Sequence, residues 1–226
     1  MGIWNHDWYL RRNVRRCIEK TVRELRLLNV AGGAQVVDIG CGEMPYKEIF
    51  VSRGCEYTGC DIGGRCDVLI EEGKPVPLPG SSFDGIVSFQ VLEHVWDIGW
   101  YLGESRRLLK PGGWLFLSTH GNWLYHPNPA DYRRWTKEGL VRELEGRGFK
   151  VEEVKSVIGP LAWTTQFRLL GWWHLLHKLG LFGKIALGVV SFLMNTKMIV
   201  EDLITPAAIS ENNACVYVAI SRRQGA

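Results

Sequence analysis

The residues best placed to do chemistry begin with Asp38-Ile39-Gly40-Cys41-Gly42. They follow Gln35-Val36-Val37, a short apolar run that reads as a buried strand. Glycines at a strand-to-helix bend let a ligand approach the main chain closely. The amino end of the next helix offers free N–H groups and the positive end of a dipole, a seat for phosphate or carboxylate. A DxGxG pattern alone is unspecific. Asp61 strengthens it, because it ends the next strand roughly 20 positions further on, where an acid reaches ribose hydroxyls in nucleotide-binding βαβ units. A carboxylate accepts both hydrogen bonds of a 2′,3′-diol and so selects a ribose free of 2′-phosphate. Pro45 stands where a dinucleotide fingerprint needs its third glycine, which argues against a nicotinamide dinucleotide.

These groups need a frame. A helix is expected from about Asp7 to Leu28, with Arg11, Arg12, Arg15 and Arg16 mostly off its apolar stripe. That basic face is either solvated or drawn to an acidic partner. Strands are expected near 34–40, 56–60, 67–70, 85–90, 114–119, 149–157 and 214–221. Helices fall near 46–52, 100–109 and from Thr136 to Arg147, while the prolines of 71–83 mark a loop. This alternation predicts an α/β fold, a doubly wound, mostly parallel seven-stranded sheet of Rossmann-like type, with ligands at the carboxyl ends of its strands. One region breaks the alternation. Val154 to Val200 holds no acid, but it carries Lys155, Arg168, Lys178, Lys184 and Lys197 and many aromatics. Two helices fit it, each with a narrow polar stripe: Thr164, Arg168, Gly171 and Lys178, then Lys184, Gly188, Ser191 and Asn195. The expected layout is one domain over 1–226: an N-terminal helix (1–30), a ligand-binding core (31–157), an apolar helical insertion (158–205) and a final strand (206–226). The insertion is core or lid, a homodimer surface, or a peripheral membrane contact.

The chain has 226 residues, 46% apolar and 23% charged, which excludes disorder and a free coiled coil. A net charge of +3 is too small to argue for nucleic acid, and none is expected as a partner. No run reaches the roughly 18–20 apolar residues of a membrane span; the longest is Ile185 to Met194, so no spanning helix is expected. The start, MGIWNHDWYLRRNVRR, is too charged for a secretory leader, so the six cysteines are expected as free thiols in a cytoplasmic protein. Cys55, Cys60 and Cys66 lack the paired CxxC of a zinc site and read as small buried residues. No Asp/His cluster stands out, and no metal is expected.

Four strings, VVDIGCGEMPYKEIF (36–50), GCDI (59–62), PLPGSSFDGIVSFQVLEHV (77–95) and LLKPGGWLFLST (108–119), together resemble the class I S-adenosylmethionine-dependent methyltransferases. HPNPADYRRWTKEGL (126–140) is similar to a subgroup of the methyltransferase type 11 kind, often found with surface-polysaccharide biosynthesis enzymes. The resemblance covers about 35–150 closely and implies roles. Asp38 would orient the cofactor's amino group, and Gly40 and Gly42, with Cys41 between them, would line its methionine moiety. Asp61 would hold the ribose, Ile62 would pack on adenine, and Glu72, beside its competitor Glu71, would stand near the adenine amino group. Gln90 would line the methyl-transfer channel.

A sulfonium carries its own leaving group, so proximity and alignment supply most of the catalysis. A hydroxyl acceptor benefits from a general base, and histidine is the natural one near neutral pH. His126 is expected nearest the acceptor, ahead of His94, which alternatively is a helix-start histidine bonded to the main chain. His120 replaces a proline that the family often carries and, with Asn128, Asp131, Tyr132 and Arg134, is a candidate for acceptor binding. Arg134 either forks onto phosphate or carboxylate or locks the loop by pairing with Asp131, with Tyr132 then packed inward. The expected reaction is methyl transfer from S-adenosyl-L-methionine to a sugar hydroxyl of a nucleotide- or lipid-linked glycan, by a cytoplasmic protein able to lie against the inner face of a membrane. The alternatives are a lipophilic acceptor, such as a quinone or natural product, or a non-catalytic cofactor-binding scaffold.

Overall fold

A computed structural model describes residues 2–24 and 32–225. Seven strands form one sheet: β1 (Gln35–Ile39), β2 (Glu56–Asp61), β3 (Val68–Leu69), β4 (Phe83–Phe89), β5 (Leu109–His120), β6 (Phe149–Val157) and β7 (Val216–Arg223). Their order is β3-β2-β1-β4-β5-β7-β6. β7 runs antiparallel to β5 and β6, and the other pairs are parallel. This is the mostly parallel Rossmann-like sheet that the alternation predicts. The chain order reverses between β1 and β4, so the ligand crevice of such a sheet lies at the carboxyl ends of these two strands.

Side-chain alternation makes a core on each face. Val36, Val87 and Phe116 share one with Val14 and Ile18 of α1 (Trp8–Glu24) and with Phe50 of α2 (Lys47–Val51). Val37, Ile86 and Leu115 share the other with Tyr101 and Leu102 of α3 (Ile98–Leu108) and with Leu140 and Leu144 of α4 (Lys137–Glu145). Side chains start both of these latter helices: Asp97 accepts from the Trp100 N–H, and Thr136 from the Gly139 N–H. The expected continuation of α1 to Leu28 lies outside the described residues.

The insertion forms α5 (Pro160–Leu176) and α6 (Gly180–Ile204), followed by a short α7 (Ala207–Asn212) that the sequence reading misses. The α5 stripe faces solvent at Thr164, Arg168 and Gly171, whereas the later part of the α6 stripe turns inward. Ser191 and Asn195 are buried, and Asn195 Nδ2 donates to the carbonyls of Ile3 and Asn5 at 2.7 and 2.9 Å. Gln166 of α5 likewise donates to the His6 carbonyl at 2.8 Å. Leu181, Phe182, Ile185, Val189 and Leu193 consequently point outward, with Phe182 86% exposed.

The expectation of no membrane-length helix is therefore corrected. Among the described residues, α6 alone is long and apolar enough to cross a membrane by length and composition. It has 25 residues, and its most apolar window has a mean hydropathy of 1.3 and is 22% buried. Gly183, Gly188, Ser191 and Asn195 interrupt the apolar run, which hid the helix from a count of consecutive apolar residues.

Candidate active site

Gly40 ends β1 at φ 80°, where a Cβ would lie 2.5 Å from Val91, so only glycine fits. The Gly40 and Cys41 N–H groups both donate to the Cys60 carbonyl, at 2.8 and 3.1 Å, and tie the bend to the end of β2. Asp61 grips the same bend: one carboxylate oxygen accepts from the Gly42 N–H and the other from its own neighbour Ile62, each at 2.7 Å. Each oxygen retains a further acceptor site for a ribose hydroxyl. Ile62 is exposed beside it. Glu72 is partly engaged elsewhere, because one of its oxygens accepts from the Asp97 N–H at 2.5 Å.

Asp38 is buried, and its Oδ2 accepts from the Tyr57 hydroxyl. Its Oδ1 has no partner among the described residues. Burial pushes this carboxyl up to about 7, against the Tyr57 hydrogen bond, which lowers it, and with the nearby Asp61 charge, which raises it. A buried acceptor with an unused oxygen suits an ammonium group. Burial also pushes the Cys41 thiol up to about 12, so it lines the bend as a thiol. Asp38, the bend and Asp61 thus fit the amino, methionine and ribose parts of S-adenosylmethionine.

The opposite wall starts at Gln90, past the end of β4. Its φ is 60°, and its side-chain amide donates to Ser118 Oγ at 2.9 Å. Beyond it, three imidazoles meet: the His126 ring lies 4.9 Å from that of His94 and 5.0 Å from that of His120. His94 contacts the Ala130 carbonyl through Nδ1, the main-chain bond offered as its alternative reading. His120 is buried and stacked 5.0 Å from Trp123. Its pKa lies well below the ordinary value because burial disfavours the cation. Its burial places it behind the wall rather than on an acceptor. Burial also lowers His126, opposed by the Asp131 carboxylate.

The loop lock is what forms. Arg134 donates to both Asp131 oxygens, at 2.5 and 2.7 Å, and to the carbonyls of Trp123 and Leu124 at 3.0 and 2.8 Å. The Arg134 hydrogen bonds hold the Asp131 carboxyl well below the usual carboxylate range. Neither side chain of the pair is free to fork onto an acceptor. Tyr132 is not packed inward as the lock reading supposed; it is 47% exposed, with Trp96 at 5.1 Å. Asn128 sits exposed in the same loop.

Glu93 was not singled out from the sequence. It is buried, its Oε2 accepts from Thr119 at 2.8 Å, and burial raises its pKa. The signal was an acid directly preceding His94. The expectation concerned Asp/His clusters; the fold instead brings potential ligand atoms of Glu93, His94 and His126 within 4.8 Å of one another.

Residues 9–154 match the family described as Methyltransferase domain. A Mycolicibacterium smegmatis protein named "Probable S-adenosylmethionine-dependent methyltransferase" is 32% identical over 149 residues, 58% of this chain and 58% of its own length. A ubiquinone biosynthesis O-methyltransferase of Rhodopseudomonas palustris is 29% identical over 180 residues, 63% of this chain and 69% of its own. The chain thus spans little more than half of the first relative's length. The Burkholderia thailandensis 1,6-didemethyltoxoflavin-N1-methyltransferase, solved with S-adenosylhomocysteine, shares the fold at a TM-score of 0.58 and 15% identity, over 94% of this chain and 80% of that one. On the family match, which takes in the glycine bend, Asp61 and the strands that carry them, the chain belongs to the methyltransferase domain family, whose cofactor is S-adenosylmethionine.

Proposed function

We propose that the chain transfers a methyl group from S-adenosylmethionine to a hydroxyl of an acceptor presented at a membrane surface, with a sugar hydroxyl of a lipid-linked glycan as the preferred acceptor. The observation that carries this reading is the outward apolar face of α6. A helix that buries Asn195 and exposes Phe182 and Leu193 is built for an apolar surrounding. Trp172 is exposed on α5, and Trp4 is exposed and stacks on Phe192 at 4.6 Å, as interfacial aromatics do. Lys178 and Lys184, with no acid nearby in sequence, suit anionic headgroups. On the acceptor side, exposed Trp96, Tyr125 and Tyr132 offer rings on which a sugar can stack. On this reading His126 and His94 face the acceptor oxygen. A second reading, methylation of a lipophilic small molecule, is favoured by the relatives named ubiquinone biosynthesis O-methyltransferases.

Flotation with anionic lipid vesicles tests the membrane part. The wild-type chain is expected to float with the vesicles. The double variant Phe182→Glu/Ile185→Glu is expected to stay in solution while binding S-adenosylhomocysteine normally. Failure of the wild type to float, or a stable dimer that covers this face, would remove the reading. Methyl transfer from labelled cofactor into cell-envelope extracts, with and without the lipid fraction, separates the glycan from the lipophilic acceptor.

A further inference from the structure

The histidine wall contains an unsatisfied buried carboxylate. Glu93 is fully buried, and Thr119 occupies only its Oε2. Its Oε1 has no hydrogen-bond partner among the described residues, and His120 Nε2, at 3.6 Å, is beyond hydrogen-bond reach. A buried polar atom left open in this way costs free energy unless something binds it.

The hydrogen-bond partners of the neighbouring imidazoles set their tautomers. His94 Nδ1 faces the Ala130 carbonyl, which only accepts, so Nδ1 carries the hydrogen and Nε2 the lone pair. His126 Nδ1 faces the Leu124 carbonyl at 3.1 Å and Asp131 Oδ2 at 3.3 Å, both acceptors, with the Arg134 guanidinium more distant at 3.5 Å. Its Nε2 is likewise left with the lone pair. One ligand atom from each of Glu93, His94 and His126 falls within a 4.8 Å group. Carbonyls and carboxylates that fix the far nitrogen of a ligating histidine are the usual outer layer of a metal site. The Arg134–Asp131 lock then has a role, since it steadies the carboxylate that orients His126.

We propose that Glu93, His94 and His126 bind one divalent transition cation of the Mn2+ or Zn2+ class. Two imidazoles and a carboxylate suit such ions, and three protein ligands leave positions open for an incoming oxygen. Resting on the function proposed above, the cation takes the acceptor hydroxyl as a further ligand and makes it more acidic. The hydroxyl proton leaves to bulk water. The oxygen forms a bond to the methyl carbon, the carbon–sulfur bond breaks, and sulfur keeps the electron pair as a thioether. Cation binding itself does not depend on which acceptor is used.

Mn2+ is the probe, because the six free cysteines would compete for Zn2+. Mn2+ titration of the full chain, read by loss of the free-ion paramagnetic resonance signal, is expected to show one site per chain. Glu93→Gln and His126→Ala are each expected to weaken it at least tenfold while S-adenosylhomocysteine binding, the control for folding, is retained. A wild-type chain that leaves Mn2+ free, or variants that bind it as tightly as the wild type, would overturn the site. Methyl transfer unaffected by removing and restoring Mn2+ would overturn its part in the reaction. Mn2+ bound at this site by a chain that methylates no envelope acceptor would support the site and count only against the substrate reading.

Discussion

Asp61→Ala is expected to raise the dissociation constant for S-adenosylhomocysteine about a hundredfold, equivalent to about 3 kcal/mol. The loss has two sources. With the ribose diol seated on Asp61, as the resemblance implies, the side chain would supply its acceptors, and hydrogen bonds to a charged group are each worth roughly 1.5–3 kcal/mol. It also holds the Gly42 N–H at 2.7 Å, so its removal frees the glycine bend. The fold does not depend on it, because Gly40 and Cys41 remain tied to Cys60. Calorimetric titration gives the affinity and a melting curve checks the fold. Unchanged affinity would mean that the ribose is held elsewhere.

The second large effect concerns Asp38 and pH. Burial moves its carboxyl from the ordinary 3.8 to about 7, so the folded chain without cofactor holds this proton more tightly than the unfolded chain does. The contribution to stability is fully present below the unfolded value and is lost as pH rises through about 7. It amounts to about 4 kcal/mol in all. A cofactor ammonium beside Oδ1 reverses the preference, since it favours the carboxylate. S-adenosylhomocysteine binding is therefore expected to tighten by up to tenfold per pH unit below about 7 and to level off above it. Asp38→Asn is expected to bind more weakly and to flatten both pH profiles. A wild-type affinity that ignores pH across this range would show that Asp38 does not face the amino group.

The parts of this protein that repeat with a period were legible from residue types. Val36 and Val37 face opposite cores because strand side chains alternate, and the strand-helix alternation fixed the sheet class. The glycine bend and Asp61 were legible because only a few residue types permit a φ of 80° or accept from a diol. Pairings across the chain were not. Glu93 meets Thr119 and His126 only because β4 and β5 lie side by side, and spacing in the sequence carries no trace of that. The orientation of α6 was missed for a related reason. Periodicity separates a polar from an apolar stripe, but it does not say which faces the protein. Here the Ile3 and Asn5 carbonyls demand a donor, so Asn195 turns inward and the apolar stripe turns out.

A crystal structure with S-adenosylhomocysteine bound tests the central assignment most directly. The expected result places the amino group within hydrogen-bond reach of Asp38 Oδ1, the ribose hydroxyls on Asp61, and the sulfur facing Gln90 and the His94–His126 edge. A ligand seated away from the β1–β4 crevice, or one whose sulfur points away from the histidines, would contradict it.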